Sequence, residues 1–213
     1  LPGILEKDWS EIERKINIAK QFSKTIHIDI IDGEFTQNST FMDPAPFAKY
    51  TKDFSFELHM MVDNPIQYLK PFADVGFKRF VGHIERMPDQ EEFLAQGQLL
   101  GEVGLAVDGP TALSKVKVPY EDLDSILVMT IKAGLSGQTF EQKYLEKVKA
   151  LKLIQDVNAG APIIEVDGGI NDITIIESKM AGASRFVSTT FVFNPLADAK
   201  PKEQFDLLKE RIS

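Results

Sequence analysis

Short apolar runs rich in β-branched residues alternate with longer amphipathic stretches along the chain. The runs predict strands, and the stretches, whose apolar positions recur every three or four residues, predict helices. Strands are predicted up to Leu5 and at 25–31, 55–61, 77–83, 102–107, 124–130, 162–167 and 184–188. Helices are predicted at 8–23, 44–51, 64–75, 89–99, 141–156, 171–181 and 202–212, with a short turn or helix near 111–115.

This alternation amounts to about eight strand–helix units. Several strands, such as 124–130 and 162–167, are apolar almost throughout, which is typical of parallel strands covered on both faces. In a chain of 213 residues the pattern predicts an α/β fold, a (β/α)8 TIM barrel that forms one domain over 1–213. An open doubly wound sheet is the alternative. A barrel would place functional side chains at the C-terminal ends of its strands.

Polar residues stand at or near the C-terminal ends of three predicted strands. His27 and Asp29 are two positions apart and share a face of the second strand, His59 lies on the third, and Asp167 ends the seventh. Two imidazoles and two carboxylates can fill the coordination shell of one divalent metal. A lone buried histidine is usually structural, but buried charges together are costly unless they are paired or metal-bound. The four residues therefore predict a metal site, and the two aspartates can also lie on opposite faces of a substrate.

Segments of small residues, two of them rich in glycine, follow three of the predicted strands. AGLSG (133–137) follows the sixth, DGG (167–169) the seventh, and Thr189-Thr190 the last. Backbone N–H groups in such loops bind phosphate, and barrels commonly use the loops after strands seven and eight for this purpose. AGLSG alone is a weak signal, because most short glycine loops are turns, but the three together predict an anion pocket.

Composition narrows the classes of partner. The net charge of −8 argues against nucleic acid or an anionic membrane as the main partner, although it allows a small anion in a pocket. The absence of cysteine excludes disulfides and thiol nucleophiles and fits the reducing cytoplasm, the expected location. No apolar run approaches the roughly 20 residues that span a bilayer. The chain begins at Leu1 in what reads as the end of a strand, which leaves room for upstream residues.

Four motifs, in this order, resemble those of the ribulose-phosphate 3-epimerase family, and the likeness runs along nearly the whole chain. IHIDIIDGEF (26–35) resembles the family's first metal motif, a His-x-Asp followed by Asp-Gly. ELHMMVDNP (57–65) resembles its His-(Leu/Met)-Met motif, and VMTIKAGLSGQ (128–138) resembles its phosphate loop. EVDGGIN (165–171) resembles its second aspartate motif.

The resemblance implies a TIM barrel of the ribulose-phosphate-binding type with one divalent metal held by His27, Asp29, His59 and Asp167. It makes Asp29 and Asp167 the acid/base pair and places Met61 and Met129 beside the intermediate, where core filling is the alternative role. The residues that it assigns to the substrate phosphate are Gly134, Leu135, Ser136, Gly137, Gly168 and Gly169, with Thr189 and Thr190 at the family's Gly-Ser pair. The ligand set favours zinc, and iron, manganese or cobalt also suit it. A homo-oligomer is a further implication.

The departures from the family pattern fall on substrate contacts. Gly3 lies in PGIL, where the family has Pro-Ser-Ile-Leu with a serine that contacts the substrate, and Ile31 replaces a methionine. Ala133 and Ser136 replace a proline and a glycine of the phosphate loop. Thr189 either crowds the phosphate or donates a hydroxyl to it.

The sequence therefore predicts a metal-dependent isomerase that acts on a small sugar phosphate. The expected reaction is epimerisation of D-ribulose 5-phosphate to D-xylulose 5-phosphate at C3, by two-aspartate proton transfer through a metal-stabilised enediolate. The alternatives are an epimerase of another ketose or ketose phosphate, such as allulose 6-phosphate, and a weakly catalytic sugar-phosphate-binding paralogue. A phosphoketose decarboxylase or aldolase is disfavoured because no Asp-x-Lys-x-x-Asp motif is present.

Overall fold

Eight parallel strands follow one another in chain order around a barrel in the computed structural model, which describes residues 1–135, 137–158, 160–194 and 200–213. They are β1 (Gly3–Ile4), β2 (Thr25–Ile31), β3 (Ser55–Met61), β4 (Arg79–His83), β5 (Glu102–Val107), β6 (Ser125–Met129), β7 (Ile163–Asp167) and β8 (Arg185–Val187). The last strand meets the first, because Gly3 N–H donates to Ser188 O at 3.1 Å and Ser188 N–H donates to Leu1 O at 3.0 Å. This closure confirms the predicted TIM barrel and rules out the open sheet.

The helices lie between the strands as the pattern predicts. They are α1 (Trp9–Ala19), α2 (Ile66–Asp74), α3 (Gln90–Gln98), α4 (Leu145–Val157), α5 (Thr174–Ala181) and α6 (Pro201–Arg211). The helix predicted at 44–51 is present as a 3-10 helix at Ala45–Lys49. The backbone bonds here join residues three apart, from Phe47 N–H to Pro44 O at 3.1 Å and from Tyr50 N–H to Phe47 O at 2.8 Å. The segment predicted near 111–115 contains a 3-10 helix at Leu113–Lys115.

Alternate residues of each strand face two different environments. One set packs outward against the helices in the main core, where Phe56 and Phe77 stack at 5.1 Å. The other set points into the barrel lumen, where Met61, Leu127 and Met129 belong to a smaller apolar cluster. Because the strands are parallel and in register, polar residues on the lumen-facing positions are brought to one place. In the described part of the chain, no helix is both long enough and apolar enough to cross a membrane.

Candidate metal centre and active site

The four residues predicted to bind metal come together inside the barrel. His27 Nε2 lies 3.2 Å from Asp29 Oδ1, and His59 Nδ1 lies 2.8 Å from the same oxygen and 3.8 Å from Asp167 Oδ2. One potential ligand atom from each of the four residues lies within 4.8 Å of all the others. Four ligands at about 2.1 Å from one cation would be separated by about 3.4 Å in a tetrahedral arrangement. The cluster therefore has the dimensions of a single metal site.

Burial divides these residues into two levels. His27 and His59 are fully buried, whereas Asp29 and Asp167 are 4% and 9% exposed and line the pocket above. The imidazoles therefore lie beneath the carboxylates, and the carboxylates are the members of the cluster that a molecule in the pocket can touch.

The electrostatics of the cluster fit a cation. Burial, together with the neighbouring charge of Asp29, raises the pKa of Asp167 to about 7. Burial opposes ionisation of Asp29 too, but the charge of His27 and hydrogen bonds from both histidines lower its pKa below the ordinary value. Burial lowers the pKa of His59 to about 4, which favours the neutral imidazole that binds metals. Burial lowers the pKa of His27, but Asp29 and Glu57 raise it well above its ordinary value, so a metal would have to displace the proton from His27 Nε2. A divalent cation would take over the positive charge of that proton and would relieve the repulsion between the carboxylates, so the residues present are compatible with one.

A second layer of charge, missed in the sequence, supports the cluster from below. Glu57 Oε1 accepts a hydrogen bond from His27 Nδ1 at 2.7 Å, which leaves Nε2 facing Asp29. Arg185 donates to Glu57 at 3.0 Å and to Glu165 at 3.4 Å. His27, Glu57 and Glu165 also lie close enough to hold a cation, but Arg185 already supplies positive charge to these two carboxylates.

The signal for this layer was the strand period of two. Glu57 and Glu165 lie two residues before His59 and Asp167, so each pair shares the lumen face. Their strand neighbours also match, because Glu57 is in register with His27 and Glu165 with Arg185. A charged residue inside an apolar strand, two positions from a predicted ligand, would have identified both.

His83 connects the cluster to the glycine-rich loop. Its ring stacks on that of His59 with centroids 5.0 Å apart, and its Nδ1 lies 2.8 Å from Glu85 Oε2. The other oxygen of Glu85 accepts the backbone N–H of Asp108 at 2.8 Å, and Asp108 Oδ1 accepts the N–H of Ala133 at 2.7 Å. The ends of β4 and β5 thus hold the start of the loop that follows β6.

A pocket of about 570 Å³ opens above the carboxylates at the C-terminal ends of the strands. It contains all but one of the residues predicted to contact substrate; these are Met61, Met129, Gly134, Leu135, Gly137, Gly168, Gly169, Thr189 and Thr190. The remaining one, Ser136, lies outside the described residues. The loops that follow β6, β7 and β8 therefore meet over Asp29 and Asp167.

The backbone of the loop after β7 depends on glycine. Gly169 has a φ of +67°, and a Cβ atom there would lie 2.9 Å from Phe140 N, so a side chain would force the neighbouring loop away. Asn171 fixes the end of this loop, since its Oδ1 accepts the N–H groups of Ile173 and Thr174 at 2.9 and 3.0 Å. The loop after β6 is tied down separately, because Asn38 Nδ2 donates to Gly134 O at 2.9 Å.

Comparison with solved structures identifies the fold. The chain superposes on 3-keto-L-gulonate-6-phosphate decarboxylase from Vibrio cholerae with a TM-score of 0.68 at 12% identity, covering 99% of this chain and 94% of the other. It superposes on orotidine 5'-phosphate decarboxylase from Pyrococcus horikoshii with a TM-score of 0.65 at 16% identity, covering 99% and 98%. At these identities the likeness establishes a shared barrel architecture.

Comparison of sequences identifies the family. The chain is 32% identical over 200 residues to ribulose-phosphate 3-epimerase from Schizosaccharomyces pombe, covering 91% of this chain and 86% of the other. It is 30% identical over 200 residues to ribulose-phosphate 3-epimerase from Bacillus subtilis, covering 90% of each. The family model for the ribulose-phosphate 3 epimerase family matches residues 1–193. The chain therefore belongs to the ribulose-phosphate 3-epimerase family, whose named relatives are enzymes of the isomerase class.

Proposed function

We propose that the protein inverts the configuration at C3 of a phosphorylated ketose, converting D-ribulose 5-phosphate to D-xylulose 5-phosphate with the help of one divalent metal. The observation that carries this proposal is the pair of carboxylates, Asp29 and Asp167, at the floor of a pocket whose rim is made of glycine-rich loops. His27 and His59 lie beside the same carboxylates. Membership of the family supports the reaction class.

Inversion requires groups on two sides of one carbon. Asp29 and Asp167 are delivered by β2 and β7, which are separated along the barrel wall, so a ketose on the pocket floor can lie between them. One carboxylate removes the C3 proton from one face, and the carboxylic acid on the other side returns a proton to the opposite face. In the reverse direction the two exchange roles. A single base would return its proton to the face it came from and restore the original configuration.

His27, Asp29, His59 and Asp167 would hold the metal, with zinc favoured and iron, manganese or cobalt also suited to two nitrogen and two oxygen ligands. The metal supplies positive charge that stabilises the negative charge developing on the oxygens beside C3. Glu57 accepts a hydrogen bond at Nδ1 of His27, which orients Nε2 toward the cluster, where it would ligate the metal once deprotonated.

The rim of the pocket would bind the phosphate. Gly134, Gly137, Gly168 and Gly169 bring backbone close to the cavity, and the hydroxyls of Thr189 and Thr190 add side-chain donors. Phosphate binding fixes the sugar with C3 above the carboxylates, and this remote binding energy positions the reacting centre.

The test is a comparison of substrates with defined metal content. Protein stripped with a chelator and reloaded with zinc, manganese, iron or cobalt is assayed with D-ribulose 5-phosphate and with D-allulose 6-phosphate. We expect turnover of ribulose 5-phosphate only after reloading, with the larger kcat/KM for the pentose. A larger kcat/KM for the hexose phosphate would show that the hexose phosphate is the preferred substrate. Binding of both sugar phosphates without turnover in reloaded protein would show that the chain is a sugar-phosphate-binding paralogue.

A further inference from the structure

The junction of the first and last strands contains a residue without a side chain at a lumen-facing position. Gly3 is in register with His27, and residues in register on parallel strands point to the same side, so a side chain on residue 3 would project into the lumen beside the metal cluster. On the neighbouring strand Val187 is in register with Asp167 and lines the pocket. Thr189 follows two residues later and also lines the pocket.

Thr189 occupies the space that a side chain on residue 3 would need. A Cβ atom on residue 3 would overlap Thr189 Oγ1 and would lie 3.4 Å from Thr189 Cβ and 2.9 Å from Val187 Cγ1. Contacts below about 3 Å are not tolerated by packed atoms, so the two side chains exclude one another. The hydroxyl of Thr189 therefore lies where the first atoms of a residue-3 side chain would be.

This overlap means that two departures from the family pattern, at positions 3 and 189, depend on each other. The resemblance described above implies a serine at position 3 and a glycine at position 189, whereas this chain has Gly3 and Thr189. In this chain the hydroxyl at this junction comes from the segment after the last strand, and the residue without a side chain is on the first strand. The Thr189 hydroxyl lies against the position that a residue-3 Cβ atom would occupy, because the two segments are adjacent.

We propose that Thr189 is a substrate-binding residue, and that its hydroxyl bonds an oxygen of the sugar phosphate in place of a serine hydroxyl at position 3. The proposal rests on the proposed function. It also makes Gly3 obligatory, since a side chain there would displace Thr189. Thr189 is half-buried and faces the cavity that holds Asp29 and Asp167, so its hydroxyl is accessible from the pocket.

The hydroxyl is tested with Thr189→Val, which keeps the branched shape and removes the oxygen. We expect KM for D-ribulose 5-phosphate to rise about threefold to tenfold, which corresponds to the loss of one hydrogen bond, with an unchanged melting temperature. Thr51→Val, which removes a threonine hydroxyl on the outside of the barrel, is the matched control and should change neither quantity. An unchanged KM in Thr189→Val would overturn the proposal.

The relation between Gly3 and Thr189 is tested with a double-mutant cycle, in which the hydroxyl is placed on residue 3 instead of residue 189. Gly3→Ser should lower both the melting temperature and kcat/KM, because serine collides with Thr189, and Thr189→Gly should lower kcat/KM. The double variant Gly3→Ser/Thr189→Gly should recover the melting temperature and return kcat/KM to within about threefold of the starting protein. A double variant no better than its worse parent, or a Gly3→Ser variant as stable as the starting protein, would contradict this relation.

Failure of the proposed function is distinguishable from failure of this inference. If the unaltered, metal-loaded protein does not turn over ribulose 5-phosphate, the proposed function fails. Thermal stabilisation by the same sugar phosphate then replaces KM as the readout. A Thr189→Val variant stabilised as much as the unaltered protein would overturn the role of the hydroxyl, and a smaller stabilisation would support it.

Discussion

Asp29 and Asp167 have different surroundings although both line the same pocket floor. Asp29 Oδ1 lies within hydrogen-bonding distance of both histidines, whereas Asp167 Oδ2 lies 3.8 Å from the nearer one. Burial and the charge of Asp29 raise the pKa of Asp167. The two carboxylates are therefore not equivalent, and surroundings that push two pKa values apart suit the acid and base roles proposed for them.

Asp167→Asn should nearly abolish epimerisation, because the amide cannot accept or donate the proton at C3. We expect kcat to fall by about 10² to 10⁴, the usual contribution of a positioned acid or base. The measurement is steady-state turnover of D-ribulose 5-phosphate with metal content determined on each sample. Asp172→Asn is the control, because Asp172 follows the same strand but pairs outside the pocket with Arg211 at 3.7 Å. Near-normal turnover by Asp167→Asn would remove Asp167 from the mechanism.

Glu57→Gln should weaken metal binding, although Glu57 is not one of the four residues that would bind the metal. Glu57 holds the Nδ1 proton of His27, and loss of such an outer carboxylate typically costs about 10- to 100-fold in metal affinity. Competition with a chromophoric chelator measures this affinity directly. Glu102→Gln removes a carboxylate that pairs with Arg79 at 2.7 Å, and should leave the affinity unchanged. Equal affinity in the Glu57 and Glu102 variants would show that Glu57 does not act through His27.

At the scale of the element, alternation along the strands explains what the sequence could and could not reveal. His27, Asp29, His59 and Asp167 were predicted because polar residues at strand ends stand out from apolar runs. The ion pair between Glu57 and Arg185 joins residues 128 positions apart, and nothing local indicates such a partner. The helix at 44–51 was predicted but its 3-10 form was not, because apolar spacing does not distinguish a short 3-10 helix from an α-helix.

Glu85 provides an element-scale prediction, because it connects the ends of β4 and β5. Burial alone would raise the pKa of Glu85, but the hydrogen bond and charge of His83 and the N–H of Asp108 lower it to about 2. A carboxylate with a lowered pKa stabilises the folded state above its unfolded pKa, near 4.5, and loses that contribution as the pH falls toward 2.

Glu85→Gln should therefore be less stable than the unaltered protein at pH 7, by about 1.5–3 kcal/mol, and the difference should shrink below pH 4.5. Urea unfolding at pH 7 and at pH 3 measures both values. Glu146→Gln is the control, since Glu146 is exposed and pairs with Lys149 on the same helix. A difference that grew with acidity would contradict the assigned direction of the pKa shift.

At the scale of the whole molecule, the barrel was predictable because eight strand-and-helix repeats fit few other folds. The contact between Gly3 and Thr189 was not predictable, because barrel closure brings together two residues that lie near opposite ends of the sequence. From the sequence, these two positions were separate departures: Gly3 lacked a hydroxyl, and Thr189 either crowded the phosphate or donated a hydroxyl to it. Only the closed barrel relates them.

Metal binding should stabilise the whole barrel, because its ligands come from β2, β3 and β7. A ligand at about 100 times its dissociation constant adds about 2.7 kcal/mol, which would raise the melting temperature of a domain of this size by about 5–10 °C. Differential scanning fluorimetry of chelator-stripped protein with zinc or manganese measures the shift. Magnesium, which prefers oxygen ligands, should give a smaller one. No shift with any transition metal would contradict the site.

The central claim, inversion at C3 by two opposed carboxylates, is tested most directly by proton NMR of D-ribulose 5-phosphate with metal-loaded protein in deuterated water. Because one aspartate removes the C3 proton and the other supplies a proton from solvent, xylulose 5-phosphate should appear with deuterium at C3 from the first turnover. Xylulose 5-phosphate that keeps its original proton would contradict the two-base mechanism. No exchange at C3, in protein with confirmed metal, would contradict epimerisation of this substrate.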